Sequence, residues 1–242
     1  MKKVLSFAQV LAATAIATAL GIYGNAAQAS GMVPATSVLI IREADGEATM
    51  QVTNSDSHVS LLHVSLQDVP EDLEPLLLVT PPLSRVESGK SQAVRFVLMD
   101  RVGKAPLTVQ RMKRVIFAGI PPTREKSNAA KVGVTVQQNL PVIIHPKGLA
   151  ENRKPWEGLN WVVEGGALMA SNPSPYVVRM AQTVKLLPSN ATVTLPKTYL
   201  LPGETMTAPI PATEVAVEKV VLQPATVYGY AVQNYEAVVV RK

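Results

Sequence analysis

From residue 33 onward, apolar and polar residues alternate in short runs split by turn residues, the period-two pattern of strands buried on one face. The runs Val33–Ile41, Glu47–Thr53, Val59–Leu66, Leu76–Thr80, Gln92–Leu98, Met112–Ile120 and Lys131–Ile144 predict seven strands, which suits one immunoglobulin-sized sandwich. Asp45-Gly46 predicts a hairpin between the first two runs. In the second run Met50 and Val52 alternate with Thr49, Gln51 and Thr53, so one face meets a core and the other meets water. Val94, Phe96 and Leu98 share a face in the same way. Pro81-Pro82 and Pro121-Pro122 end their runs, because proline cannot donate to a β ladder. No segment reads as a helix.

Pro146-Lys147-Gly148 opens a polar stretch through Glu151-Asn152-Arg153-Lys154-Pro155, a composition shift that predicts a domain boundary. Beyond it, Leu159–Glu164 and Ala167–Ser171 flank Gly165-Gly166, a two-residue loop suited to a primed hairpin turn. Tyr176–Leu187, Val227–Gln233 and Ala237–Arg241 predict further strands, with Pro188, Pro196 and Pro202-Gly203 as breaks. The expected second domain, 156–242, is a sandwich of roughly 87 residues, too small for a deep catalytic pocket.

The start of the chain departs from this pattern. Lys2 and Lys3 precede an apolar stretch from Val4 to Ile22 that closes at Ala27-Gln28-Ala29, which predicts a secretory signal peptide cleaved before Ser30. The expected organisation is signal peptide 1–29, first domain 30–146, linker 147–155 and second domain 156–242. Removing 29 residues from 242 leaves an exported chain of 213, with no membrane insertion of that mature part expected.

Charge and composition then exclude several functions. Without Lys2 and Lys3 the chain has 21 basic residues against 18 acidic ones, too mild and too scattered a surplus for nucleic-acid binding. There is no cysteine, so neither disulfides nor thiolate chemistry is available and stability must come from apolar burial and β ladders. His58, His63 and His145 lack ligand-like spacing with acidic partners, and no nucleophile elbow, phosphate loop or carboxylate pair stands in a matching context. No enzyme activity, metal or cofactor is expected.

The most informative run is Lys131 to Pro146. Val132, Val134 and Val136 alternate with Gly133, Thr135 and Gln137, so three branched side chains line one face of an extended strand. Pattern alone leaves two readings open: a row that fills the domain's own core, or an edge that templates another chain.

The chain resembles the periplasmic chaperones of the chaperone–usher fimbrial pathway, from about Thr36 to the C-terminus. The resemblance rests on several segments in order: Thr80-Pro81-Pro82-Leu83 with Arg85 and Glu87-Ser88-Gly89, Gln92-Ala93-Val94-Arg95-Phe96, Ile120-Pro121-Pro122, the run just described, Asn172-Pro173-Ser174-Pro175-Tyr176-Val177-Val178, and Asn234-Tyr235. It implies an all-β fold of two immunoglobulin-like sandwiches arranged as a boomerang, located in the periplasm, with fimbrial subunits and an outer-membrane usher as partners. It implies a donor strand whose Val132, Val134, Val136 and Leu140 contact a subunit lacking a strand of its own. A self-capping dimer is the alternative state of the free chain.

Two departures from the family pattern matter. The family's arginine in the first strand and lysine late in the donor strand match Ser37 and Pro141 here, so the usual carboxylate clamp is missing. Arg42, Arg114 and His145 are the candidate substitutes. Of the family's internal ion-pair cluster only Arg95 remains, as a structural residue, with Gln110 and His145 at the other matching positions. The short segment Pro121–Ala130 before the donor strand implies the short-loop class. The competing reading is a secreted β-sandwich adhesin or fimbrial structural subunit, but these resemble single incomplete domains, often with a disulfide.

Overall fold

The computed structural model describes residues 31–100, 105–122, 136–211, 217–226 and 232–241. In the first half the strands are β1 (Met32–Pro34), β2 (Leu39–Arg42), β3 (Glu47–Asn54), β4 (Ser60–Gln67), β5 (Leu77–Thr80), β6 (Leu83–Val86), β7 (Ser91–Leu98), β8 (Arg111–Ile120) and β9 (Gln137–His145). In the second they are β10 (Asn160–Glu164), β11 (Ala167–Ser171), β12 (Val178–Met180), β13 (Thr183–Leu187), β14 (Thr192–Thr194), β15 (Tyr199–Leu200), β16 (Thr205–Pro209), β17 (Lys219–Leu222), β18 (Pro224–Ala225) and β19 (Tyr235–Arg241). Among the described residues one 3₁₀ turn, Pro155–Gly158, is the only helical element.

In the first half, a sheet in the order β1-β3-β7-β5 packs on a second in the order β2-β9-β8-β4-β6. Alternation supplies the core between them: Met50 and Val52 from β3 and Val94 and Phe96 from β7 meet Leu62, Val64, Phe117 and Ile144 of the other sheet. The Phe96 and Phe117 rings meet edge to face, with centroids 6.3 Å apart and planes at 78°. This geometry adds about 0.5–1.5 kcal/mol to the burial of the rings.

The run Val33–Ile41 is not one strand. β1 pairs with β3 and β2 pairs in parallel with β9, so the chain crosses from one sheet to the other between them. Within the crossover Thr36 Oγ1 donates to the Val38 carbonyl at 2.8 Å and Ala35 N donates to Gln51 O at 2.8 Å. The same crossing overturns the hairpin expected at Asp45-Gly46. β2 and β3 lie in different sheets, so this turn is an arch between layers. Asp45 N and Gly46 N both donate to Arg42 O, at 3.0 and 3.1 Å, and Gly46 takes φ +70°, open to a residue without Cβ. Leu83–Val86, absent from the predicted strands because two prolines precede it, forms β6 on the edge of β4.

In the second half, Gly165 and Gly166, at φ +58° and +77°, join β10 and β11 in the expected two-residue hairpin. β10 also pairs in parallel with β19, within a sheet ordered β14-β13-β17-β19-β10-β11-β16. Tyr176–Leu187, predicted as one strand, divides: β12 joins the small sheet β15-β12-β18 and β13 joins the large one. Trp161, Leu168, Val178, Leu186, Leu200 and Leu222 are core residues between the two sheets. Of the predicted strand Val227–Gln233, residues 227–231 lie outside the described ones, and Val232 and Gln233 are not in a strand.

Candidate functional site

Along one side β9 pairs with β8 over its whole length, from Gln137 opposite Ala118 to Ile144 opposite Arg111. On the other side β2 covers only Val142–His145. Gln137–Pro141 therefore have a strand neighbour on one side alone among the described residues. Pro141 lies just before the point where β2 begins, with Leu39 opposite Val142, at the last position of this uncovered stretch, where a residue without an N–H is tolerated.

The predicted donor residues divide along this edge. Val132 and Val134 lie outside the described residues. Val136, just before β9, is 38% exposed. Leu140 is half-buried and packs on its own domain's core, on the face it shares with Val142 and Ile144.

Of the two positions that match the family clamp, Ser37 is exposed in the crossover between β1 and β2, and Pro141 is buried opposite Arg114 of β8. Arg42 forms an ion pair with Glu151 at 3.0 Å. His145 uses both ring nitrogens. Its Nε2–H donates to Leu149 O at 2.9 Å, and its Nδ1, 3.0 Å from Gln110 Nε2, accepts from that amide. The direction is fixed because Gln110 Oε1 already accepts the buried Val177 N–H at 2.8 Å. Gln110 N also donates to Pro175 O, so this one residue ties β9 to the start of β12. Arg114 donates from Nε and Nη2 to the side-chain and backbone oxygens of Asn139, at 2.6 and 3.0 Å. Arg95 lies in the other sheet of the first sandwich, on β7, in an exposed pair with Glu47.

Beside the edge the outer face of the β8 sheet is covered by the second half of the chain. Met112 of β8 packs with Val69, Val177 and Leu201 in a buried cluster. The loop between β4 and β5 reinforces this seam. Its Glu71 accepts from Lys197 Nζ at 2.5 Å and from the Tyr199 hydroxyl at 3.0 Å. Burial, then the Glu71 carboxylate, pushes the Tyr199 phenol up to about 12. The same loop is pinned from within by Asp72, which is 7% exposed and binds the Arg111 guanidinium and the buried Lys113 Nζ, the latter at 3.1 Å. Lys113 also reaches Asp68 at 2.7 Å, and Arg111 reaches Glu74 at 3.1 Å. Burial alone would raise the Asp72 carboxyl, but the hydrogen bonds and charges of Arg111 and Lys113 outweigh it and hold the group below the usual aspartate range.

Sequence reasoning did not single out Asp72, Lys113, Glu71 or Arg179. Arg179 interrupts an apolar run, which is a readable signal, and Lys113 sits in a basic stretch with Arg111 and Arg114, but the surroundings of both come from other elements. Among the described residues no group of three or more His, Asp or Glu could hold a metal ion.

The described residues form an all-β protein of two small sandwiches, with one strand edge half open and with Gln110 joining the halves. Residues 31–150 match the family described as pili and flagellar-assembly chaperone, PapD N-terminal domain, and residues 154–236 match the pili assembly chaperone PapD, C-terminal domain. The chain belongs to this PapD-like family of pilus-assembly chaperones. It is 46% identical over 209 residues to the fimbrial chaperone YhcA of Escherichia coli strain K12, covering 86% of this chain and 90% of that protein. Its fold is similar to that of the SafB chaperone, solved in complex with the SafA pilin of Salmonella enterica (TM-score 0.72, 21% identity, 88% and 98% of the two chains). It is similar also to the E. coli chaperone DraB (TM-score 0.70, 21% identity, 86% and 98%). These findings favour a chaperone over an adhesin or a structural subunit.

Proposed function

We propose that this chain works in the periplasm, where it lends the valine row and the uncovered stretch of β9 to fimbrial subunits that lack a strand. It then delivers them to an outer-membrane usher. The observation that carries the reading is the one-sided pairing of Gln137–Pro141. An uncovered run of backbone donors and acceptors is a template for a further strand, and chaperone–pilin complementation is among the known uses of strand addition.

Backbone bonds would fix the register, and Val132, Val134 and Val136 would enter subunit pockets. Full burial of such a side chain is worth about 1.5–3 kcal/mol, so three give several kcal/mol before ordering costs. Non-directional apolar contact suits a client that is later handed on by exchange. The SafB chaperone caught with the SafA pilin, and the CsuC–CsuE pre-assembly complex of Acinetobacter baumannii, support a subunit as the occupant of this edge. In the free chain, a second copy would cover the same edge.

The test replaces Val134 with Asp and follows the periplasmic level of the subunits encoded alongside the chain. The variant is expected to stay folded while those subunits aggregate or are degraded. Normal subunit levels would reject strand donation.

A further inference from the structure

The open stretch of β9 does not turn all of its backbone toward a partner. Glu43 N, just past β2, donates to His145 O at 2.9 Å, so the backbone groups of His145 face the side on which β2 lies. Backbone groups along a strand alternate between its two neighbours, so those of Ile143, Pro141, Asn139 and Gln137 face that side as well. Those of Gln138 and Leu140 face β8, where Phe117 and Val115 stand opposite them. Pro141 fits this alternation, since the N–H it lacks would point away from β8 and no carbonyl of β8 loses a donor. Among the described residues the open side therefore offers a full donor–acceptor pair at two positions, Gln137 and Asn139.

One of those two is already engaged. Arg114 stands opposite Pro141 and so lies diagonal to Asn139, within reach of a long side chain. Its Nη2 donates to the Asn139 carbonyl at 3.0 Å, and its Nε donates to the Asn139 side-chain oxygen at 2.6 Å. The guanidinium thus reaches across β9 and takes the acceptor that an incoming strand needs. Two donors of one rigid plane, held by two oxygens of one residue, fix its orientation. Asn139 is exposed, so the contact is made in water and is cheaply exchanged for another.

We propose that Arg114 guards the donor edge: it caps the Asn139 carbonyl in the free chain and is displaced when a client strand pairs with β9. This rests on the strand-donor reading above and deepens it by naming the side chain that a client must move. A charged side chain laid over an exposed edge is a recognised deterrent to indiscriminate strand pairing. With Asn139 capped, a second copy or a stray strand finds a complete pair at Gln137 alone among the described residues. A client whose pockets also accept the valine row gains enough from apolar burial to displace the guanidinium. The guard makes backbone pairing conditional on side-chain fit, and so serves selectivity.

The first test follows exchange of the Arg114 Nε–H with water, by nuclear magnetic resonance on the full mature chain. In the free chain this exchange is expected to be slower than in Asn139→Ala, where the side-chain acceptor is gone. Binding of a co-purified fimbrial subunit should speed it to about the rate seen in that variant. Exchange that is equally fast in the free parent and in Asn139→Ala, or that is no faster in the complex, overturns the proposal.

The second test compares Arg114→Met, Arg114→Lys and Val134→Asp for self-association of the free chain and for the rate of subunit capture. Arg114→Met is expected to self-associate at about threefold lower concentration and to capture subunit about threefold faster, the scale of one exposed polar contact. Arg114→Lys keeps the charge but not the fork, and should lie between this variant and the parent. If Arg114→Met self-associates like the parent, or captures subunit no faster, the guard is wrong; strand donation still stands provided that Val134→Asp loses the subunit. If Val134→Asp captures subunit as the parent does, strand donation itself fails and the guard with it.

Discussion

Replacing Asp72 with Ala removes the anion that holds the β4–β5 loop against the base of β8. The carboxylate is almost fully buried and is bound by Arg111 and by Lys113, whose side chain is 3% exposed. Breaking a buried pair by deleting one partner costs about 3–5 kcal/mol, because the remaining charge is left without compensation. Lys113 keeps its contact to Asp68 at 2.7 Å and Arg111 keeps Glu74 at 3.1 Å, so the low end, about 3 kcal/mol, is expected. The assay is urea unfolding of the purified chain, with a lowered midpoint and an unchanged slope.

The pH dependence gives a second reading of the same change. Asp72 is held below its ordinary value of 3.8 in the folded state, so its contribution is complete above that value. It is lost as pH falls through the depressed folded value, and the gap between parent and variant must shrink in acid. Adding Lys113→Met to Asp72→Ala should recover much of the loss, since an apolar replacement of a buried pair is often neutral. A single-variant cost under about 1 kcal/mol, or a gap that widens in acid, would refute the reasoning.

Gln110→Ala leaves the buried Val177 N–H without its acceptor and should cost about 1–3 kcal/mol in the same unfolding assay. A neutral result would mean that Gln110 does not bridge the halves. Leu140→Ala should destabilise the free chain by about 2 kcal/mol, less than a fully buried leucine because the residue is half-exposed, while Val136→Ser should leave the midpoint nearly unchanged. Equal effects of the two would remove the distinction between a residue of the chain's own core and one offered to a client.

Alternation made most strands legible, because each half-buried strand carries its own period and needs no knowledge of its neighbours. The Gly165-Gly166 hairpin was legible for the same reason: the turn is set by two residues that accept positive φ. The divisions at Thr36–Val38 and within Tyr176–Leu187 were not. Both halves of each run are apolar and extended, and only the sheet that each one joins tells them apart.

The site was half legible. The valine row can be read directly from residue types, whereas the missing clamp is visible only through the resemblance to the family. Whether β9 has a neighbour on its far side depends on where β2 begins, which no local pattern encodes.

The central claim is that the uncovered stretch of β9 is lent to a fimbrial subunit and pairs with one of that subunit's strands. Amide hydrogen exchange over Gln137–Leu140, with and without a co-purified fimbrial subunit, measures this directly, since a new ladder slows exchange of the backbone it pairs. Marked slowing at these amides in the complex, with little change along β3 and β7, is the predicted result. Exchange that is the same with and without a bound subunit would contradict the account.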